Sequence, residues 1–70
     1  MKLKNTIGTM SASRGMTVED LSKEINKSSA NTRLTIKHNN PSKDFLIAVG
    51  EALDYDLAFI DRNTGNIYKL

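Results

Sequence analysis

The acidic side chains and the single histidine are the residues of this sequence that could act as general acids, bases or metal ligands. The chain has eight Asp and Glu residues, one His and no Cys. Glu19, Asp20 and Glu24 fall on one predicted amphipathic helix, and no two carboxylates can be assigned to a pocket. His38 falls in a predicted loop, where a phosphate contact is more common than general-base chemistry. We therefore predict that the protein is not an enzyme.

The sequence also lacks the residues that cofactor chemistry would require. The absence of Cys excludes disulfides, thiolate zinc sites and cysteine nucleophiles, and one His cannot build a multi-histidine metal centre within one chain. The sequence contains no phosphate-binding loop, dinucleotide-binding fingerprint or nucleophile elbow. We expect no catalytic residue, no metal ion, no cofactor and no small-molecule substrate.

Charge is distributed unevenly along the chain. Residues 1–43 carry eight Lys and Arg against three Asp and Glu, a net charge of +5, whereas residues 44–70 carry two against five, a net charge of −3. A basic segment beside an acidic one is typical of a protein that binds a polyanion on one side. The alternative is a solvated surface on which the charges are segregated by chance.

The length of the chain sets a limit on its core. Seventy residues make one domain at most, with a marginal core, and a partner subunit is one of the usual means of support. No apolar run approaches the roughly 20 residues needed to cross a bilayer, and no apolar region follows the N-terminal lysines as in a secretory signal. We expect a cytoplasmic homodimer that does not enter a membrane.

Hydrophobic spacing and capping residues predict four helices. Thr17 and Asp20 form a capping-box pattern at the start of the second helix. Gly15 and Asn26 tolerate the left-handed conformation that follows a helix end, and Pro41 disfavours helical geometry in the residue before it. The predicted bounds are about residues 2–13, 18–26, 30–37 and 43–53.

The C-terminal residues change to strand-like spacing. Two apolar segments, about residues 56–61 and 66–70, flank residues 62–65 (RNTG), which suit a type I turn with Gly65 in the left-handed conformation and a G1 bulge. Both faces of this hairpin carry apolar side chains, and we expect one of them to pack on the fourth helix. The predicted fold class is mainly α, one domain of four helices with a C-terminal β-hairpin.

The second and third helices together have features of a helix-turn-helix. Leu21 is followed by the small Ser22, which lets two helices approach, and a tight turn precedes a polar helix. In that third helix Ala30 and Leu34 form the apolar stripe, and Ile36 lies off it. Such a helix presents mostly hydrogen-bonding surface.

Two stretches carry a resemblance to a known family. Residues 16–26 (MTVEDLSKEIN) resemble the opening of the helix-turn-helix in the Cro/C1, or XRE-type, repressors, and residues 40–57 are similar to that family's fourth helix and its ALGY-x-L continuation. Small phage and mobile-element members also have a short strand-forming tail. The resemblance covers about residues 3–60. It implies a lambda-repressor-like fold and a sequence-specific DNA-binding transcriptional regulator that binds a two-fold operator as a dimer.

Several positions depart from the family pattern. Asn26 and Asp54 stand where glycine is usual. An ungapped register puts Thr32 and Thr35 at positions where apolar residues normally anchor the third helix. We therefore expect a turn one or two residues longer than usual.

The resemblance implies roles for individual residues. The third helix would enter the major groove, where Asn31 suits an adenine edge and Arg33 a guanine edge. The implied base contacts are Ser29, Asn31, Thr32, Arg33 and Thr35. The implied phosphate contacts, which position the protein without reading sequence, are Thr17, Lys27, Ser28, Lys37 and Lys43, with Arg14 as a further candidate.

The apolar hairpin is the candidate dimer interface, through strand pairing or through a second apolar face. The residues concerned are Phe59, Ile60, Ile67, Tyr68 and Leu70. The alternative is a ribbon that only covers the core of the monomer.

A protein-interaction module on the same fold is a second functional class, such as an antirepressor, an antitoxin or a phage-encoded inhibitor without sequence-specific DNA binding. The modest net charge of +2 and the irregular third helix favour it. A DNA affinity that falls steeply with salt would separate the two classes.

Overall fold

A computed structural model describes residues 2–70 and contains four α-helices followed by a two-stranded antiparallel sheet. The predicted mainly helical fold with a C-terminal hairpin is confirmed at this level. No helix among residues 2–70 is long and apolar enough to cross a membrane. The elements are α1 (Leu3–Ser13), α2 (Val18–Glu24), α3 (Ser29–His38), α4 (Lys43–Leu53), β1 (Ala58–Ile60) and β2 (Ile67–Lys69).

Hydroxyl side chains begin three of the helices. At α2 the Thr17 hydroxyl accepts the Asp20 amide at 3.2 Å and the Asp20 carboxylate accepts the Thr17 amide at 3.0 Å. This is the predicted capping box, in which two unpaired donors of the first turn are satisfied reciprocally. Ser28 and Ser42 cap α3 and α4 by accepting the amide three residues later, at 3.1 Å in both cases.

Residues in the left-handed conformation follow the ends of all four helices. Gly15, Asn26, Asn39 and Asp54 have φ angles between +54° and +68°. Asn and Asp tolerate this conformation better than most residues with a Cβ. Asn39 also accepts the Leu3 amide on its side-chain oxygen at 2.8 Å, which connects the end of α3 to the start of α1.

The core lies among the four helices, and every helix contributes to it. Ser22, the small residue that follows Leu21, is itself buried, as the close approach of α2 to its neighbours requires. The buried apolar residues are Leu3, Ile7, Leu21, Ile36, Phe45, Val49 and Leu53.

Arg14, between α1 and α2, covers the C-terminal end of α4. Its Nε donates to the main-chain oxygen of Leu53 at 2.8 Å, and its guanidinium also donates to the oxygen of Asp54 at 3.3 Å. The guanidinium carbon lies 4.3 Å from the centre of the Tyr55 ring, a cation–π distance. These contacts give Arg14 a role in the fold. Its side chain is also exposed, so its role as a phosphate contact stays a prediction.

The C-terminal hairpin pairs Phe59 with Tyr68 and Ile60 with Ile67. Gly65 has the predicted left-handed conformation, with φ +78°. Its amide donates at 2.8 Å to the main-chain oxygen of Asp61, four residues earlier, so the loop closes as an α-turn.

Side chains on both faces of this hairpin lie outside the core. Phe59, Ile60, Ile67 and Tyr68 are 60% to 68% exposed. For these four residues the prediction that one face packs on α4 is wrong, because α4 buries its apolar side among the other helices. Leu57, in the first predicted strand, is in contrast half-buried and lines a pocket together with Val49 of α4.

Candidate nucleic-acid interface

Residues 25–28 join α2 to α3 in a short turn. Asn26 takes the left-handed conformation with φ +58°, and the Lys27 amide then donates to the Ser22 oxygen at 2.9 Å. This bond satisfies a carbonyl at the end of α2, as in other helix C-terminal motifs with a left-handed residue. Asn26 therefore fills a position that glycine fills more easily, and it sets the angle at which α3 leaves α2.

Thr32 is fully buried at the centre of the inner side of α3. Its hydroxyl donates to the main-chain oxygen of Ser28 at 3.1 Å, so the polar group is satisfied within its own helix. Ile36, one turn later, is also buried, and Thr35 is half-buried. The prediction of Thr32 as a base contact is wrong, because its side chain cannot reach a ligand.

The same burial corrects the predicted register of α3. Thr32 occupies the anchoring position that the ungapped alignment gives it, so the longer turn expected from the sequence is absent. Ala30 and Leu34, predicted as the apolar stripe, lie instead on the outer side, where Leu34 is 51% exposed.

Two of the predicted base contacts lie on opposite flanks of this outer side. Asn31 and Arg33 are exposed and, being two residues apart, project about 200° from each other around the helix axis. Ser29 and Thr35 are half-buried, and the Thr35 hydroxyl donates to the Asn31 main-chain oxygen at 3.0 Å. Asn31 and Arg33 are thus the most accessible of the predicted base contacts, and they would reach different base pairs.

Arg33 forms an ion pair with Glu19 of α2, and both side chains are more than half exposed. The pKa of Glu19 is lowered, first by the hydrogen bond from its own amide and then by the hydrogen bond and charge of Arg33. The contact of Glu19 with α3 was not predicted, since no local pattern signals a contact between residues 14 apart.

The sequence segment that contains α3 carries cationic residues and no acidic ones. No Asp or Glu occurs between residues 27 and 43. Lys27, Lys37 and Lys43 are exposed, and none of them forms an ion pair within the described residues. With Arg33, which is paired with Glu19 of α2, they make four cations in a segment that contains no carboxylate of its own.

A groove of about 590 Å³ lies beside the exposed flank of α3. Val18 and Ile36 are apolar residues of its lining, and three cationic residues also line it. The lining residues are Lys4, Gly8, Val18, Arg33, Ile36 and Lys37.

Thr17 and Ser28, predicted to contact phosphates, act first as helix caps. Each hydroxyl oxygen accepts an amide hydrogen of its helix. Each hydroxyl hydrogen can still be donated to another acceptor, because a hydroxyl group both donates and accepts. Both residues are exposed, so capping does not prevent a phosphate contact.

Among residues 2–70 no three acidic or histidine side chains are grouped so that they could hold a metal ion. Comparisons with models of protein families, with curated proteins and with solved structures found no match to this chain. The function of the interface therefore has to be inferred from its geometry and charge.

Proposed function

We propose that this protein is a sequence-specific DNA-binding transcriptional regulator of the Cro/C1 type, with α3 as the helix that enters the major groove. The observation that carries the proposal is the outer side of α3. It is exposed, it lies in a segment with four cations and no carboxylate, and a short turn fixes it against α2. A major groove is wide enough for a helix, and its phosphates attract such a segment.

In this proposal the exposed side chains make two kinds of contact with DNA. Asn31 and Arg33 have the donors and acceptors that suit adenine and guanine edges, and they lie towards the first half of α3. Lys27, Lys37 and Lys43 are long cations that form no ion pair within residues 2–70, and they are suited to phosphates. Phosphate contacts set the position of the protein on the duplex, and base contacts select the sequence.

The hairpin supplies the dimer surface of this proposal. Phe59, Ile60, Ile67, Tyr68 and Leu70 are 60% to 73% exposed. Phe59 and Tyr68 lie on one face of the ribbon and Ile60 and Ile67 on the other, so either face alone falls well below the roughly 800 Å² per partner of a standard interface, and we expect a weak dimer that depends on concentration. Two copies would read half-sites about 34 Å apart.

Light scattering with and without mixed-sequence duplex at about 100 mM salt tests the proposal. We expect a dimer that binds duplex and releases it at higher salt. Lys37→Gln should reduce the slope of log affinity against log salt by about 1. Arg62→Gln removes the same charge in the hairpin loop and should leave the slope unchanged. Absence of salt-dependent duplex binding would refute the proposal.

A protein partner is the second candidate, and the groove beside α3 favours it. Half-buried Val18 is the more accessible apolar residue of the lining, since Ile36 is only 9% exposed, and Lys4, Arg33 and Lys37 add positive charge. These features suit an acidic amphipathic helix. If the protein does not bind duplex DNA at any salt concentration, this candidate replaces the first.

A further inference from the structure

Leu34 stands out among the apolar residues of the molecule. Within residues 2–70 it is the one exposed large apolar side chain outside the hairpin, at 51%. Ala30, one turn earlier on the same side of α3, is also exposed. Because Thr32 and Ile36 fix the inner side of the helix, Leu34 must point away from the core.

The surroundings of Leu34 are polar and positively charged. Arg33 precedes it, Lys37 follows one turn later, and Asn31 lies one turn earlier. Leu34 and Ala30 alone are too small a surface for a stable protein interface, which buries about 800 Å² on each partner. The segment from residue 27 to residue 43 contains no carboxylate, and although Glu19 of α2 pairs with Arg33, Lys37 has no ion pair within residues 2–70, which fits a polyanion in which an apolar group is accessible.

Duplex DNA has one such group on its base edges. In the major groove the thymine 5-methyl is the apolar feature, and all other edge groups are hydrogen-bond donors or acceptors. A leucine pressed against a polar edge would leave that edge without its water and without a partner, which is unfavourable. A leucine at the centre of a groove-reading surface therefore selects thymine.

We propose that Leu34, with Ala30 beside it, contacts thymine 5-methyl groups and makes thymine the preferred base at the centre of each half-site. The inference rests on the proposed DNA-binding function and adds a specificity-determining residue to it. Asn31 and Arg33, on the two flanks of α3, would read the base pairs on either side of this thymine.

Replacement of thymine by deoxyuridine tests the proposal, since the two bases differ only in the 5-methyl group. A binding duplex is first selected from a random library with the full chain. Each thymine of that duplex is then replaced singly, and affinity is measured by fluorescence anisotropy at fixed salt. We expect about a fourfold loss of affinity at the central thymine, the value of one buried methyl group. Thymines outside the centre serve as the internal control.

Leu34→Ala separates the role of this residue from the rest of the interface. Its side chain is on the surface, so the variant should fold, and circular dichroism verifies this. The variant should bind thymine and deoxyuridine duplexes equally. A wild-type protein that binds its selected duplex but tolerates deoxyuridine at the centre would overturn this inference and leave the proposed function intact. The absence of any selected, salt-dependent binding would overturn both.

Discussion

The Arg33 guanidinium donates a hydrogen bond to Oε1 of Glu19, so a carboxylate of α2 is paired with the arginine proposed to read guanine. Both side chains are more than half exposed. Solvent screens such a pair, and it contributes little to folding. We expect a larger effect on the proposed DNA binding, because Arg33 would have to leave Glu19 to reach a base and the carboxylate would repel phosphates.

Glu19→Gln should therefore raise the affinity for duplex DNA. We expect an increase of about two- to fivefold at about 100 mM salt, measured by fluorescence anisotropy. Glu24→Gln is the matched control, since it removes the same charge from the same helix without breaking an ion pair. If both variants raise the affinity equally, the effect belongs to net charge and not to the release of Arg33.

Thr32 and Asn31 are neighbours in sequence, but we expect only the replacement of Asn31 to change the preferred DNA sequence. Thr32→Val keeps the buried volume and should leave the preferred DNA sequence unchanged, because this side chain is fully buried. Asn31→Val should lose discrimination at one base pair, by about 1–3 kcal/mol. Selection of binding sites with both variants measures the two effects. A changed preference in Thr32→Val would show that this residue reaches the groove.

The helix ends are the part of the fold that the sequence predicted well. Capping by Thr17 and Asp20 and the left-handed Gly15 and Asn26 depend on residues close together in the chain, so local chemistry determines them. The four helices and the hairpin follow from the same local patterns of spacing.

The inner side of α3 was predicted wrongly, and the reason is physical. Hydrophobicity favours Ala30 and Leu34 as the buried stripe, but the core encloses Thr32 and Ile36. A buried threonine in a helix can donate its hydroxyl to the preceding turn, so it substitutes for an apolar residue at little cost. The ungapped register of the resemblance did put Thr32 at an anchoring position, but hydrophobicity favoured the other arrangement.

Contacts between distant residues were also beyond prediction. Arg14 reaches the main chain of Leu53, 39 residues later, and no local signal marks that pair. The exposure of the hairpin depends likewise on how α4 packs, because Phe45, Val49 and Leu53 are buried among the helices.

Ser11 and Ser22 are both 2% exposed but differ in hydrogen bonding. The Ser22 hydroxyl donates to the Val18 oxygen at 2.7 Å, whereas the Ser11 hydroxyl has no partner within the described part of the chain. Ser11→Ala removes an unsatisfied buried group and should raise the free energy of unfolding by about 1 kcal/mol. Ser22→Ala removes a hydrogen bond, so it should not raise the free energy of unfolding. Denaturant titration of both variants measures the difference, and equal gains would contradict the assignment of Ser11 as unsatisfied.

Gly50 and Gly8 form a second matched pair within helices. A Cβ at Gly50 would lie 2.8 Å from the main-chain oxygen of Tyr55, whereas a Cβ at Gly8 would meet nothing within 4 Å. Gly50→Ala should lower the free energy of unfolding by about 1–3 kcal/mol, because the backbone after α4 has to move. Gly8→Ala should raise it by about 0.5–1 kcal/mol, because alanine is the better helix former. Thermal denaturation should therefore show a lower melting temperature for Gly50→Ala and a higher one for Gly8→Ala than for the wild type.

Asp20 gives the fold a specific dependence on pH. Its pKa is lowered below the ordinary value of 3.8, first by the hydrogen bond from the Thr17 amide and then by that with the Thr17 hydroxyl. A carboxyl group with a lower pKa in the folded state stabilises that state above its unfolded pKa, and this contribution disappears as the pH falls through the folded value.

Asp20→Asn cannot carry the charge, so it should melt at a lower temperature than the wild type at pH 7. The difference between the two proteins should shrink as the pH falls below 3.8. Melting temperatures between pH 2 and pH 7 test this expectation, and a gap that stays constant over that range would mean that the charge of Asp20 does not stabilise the capping box.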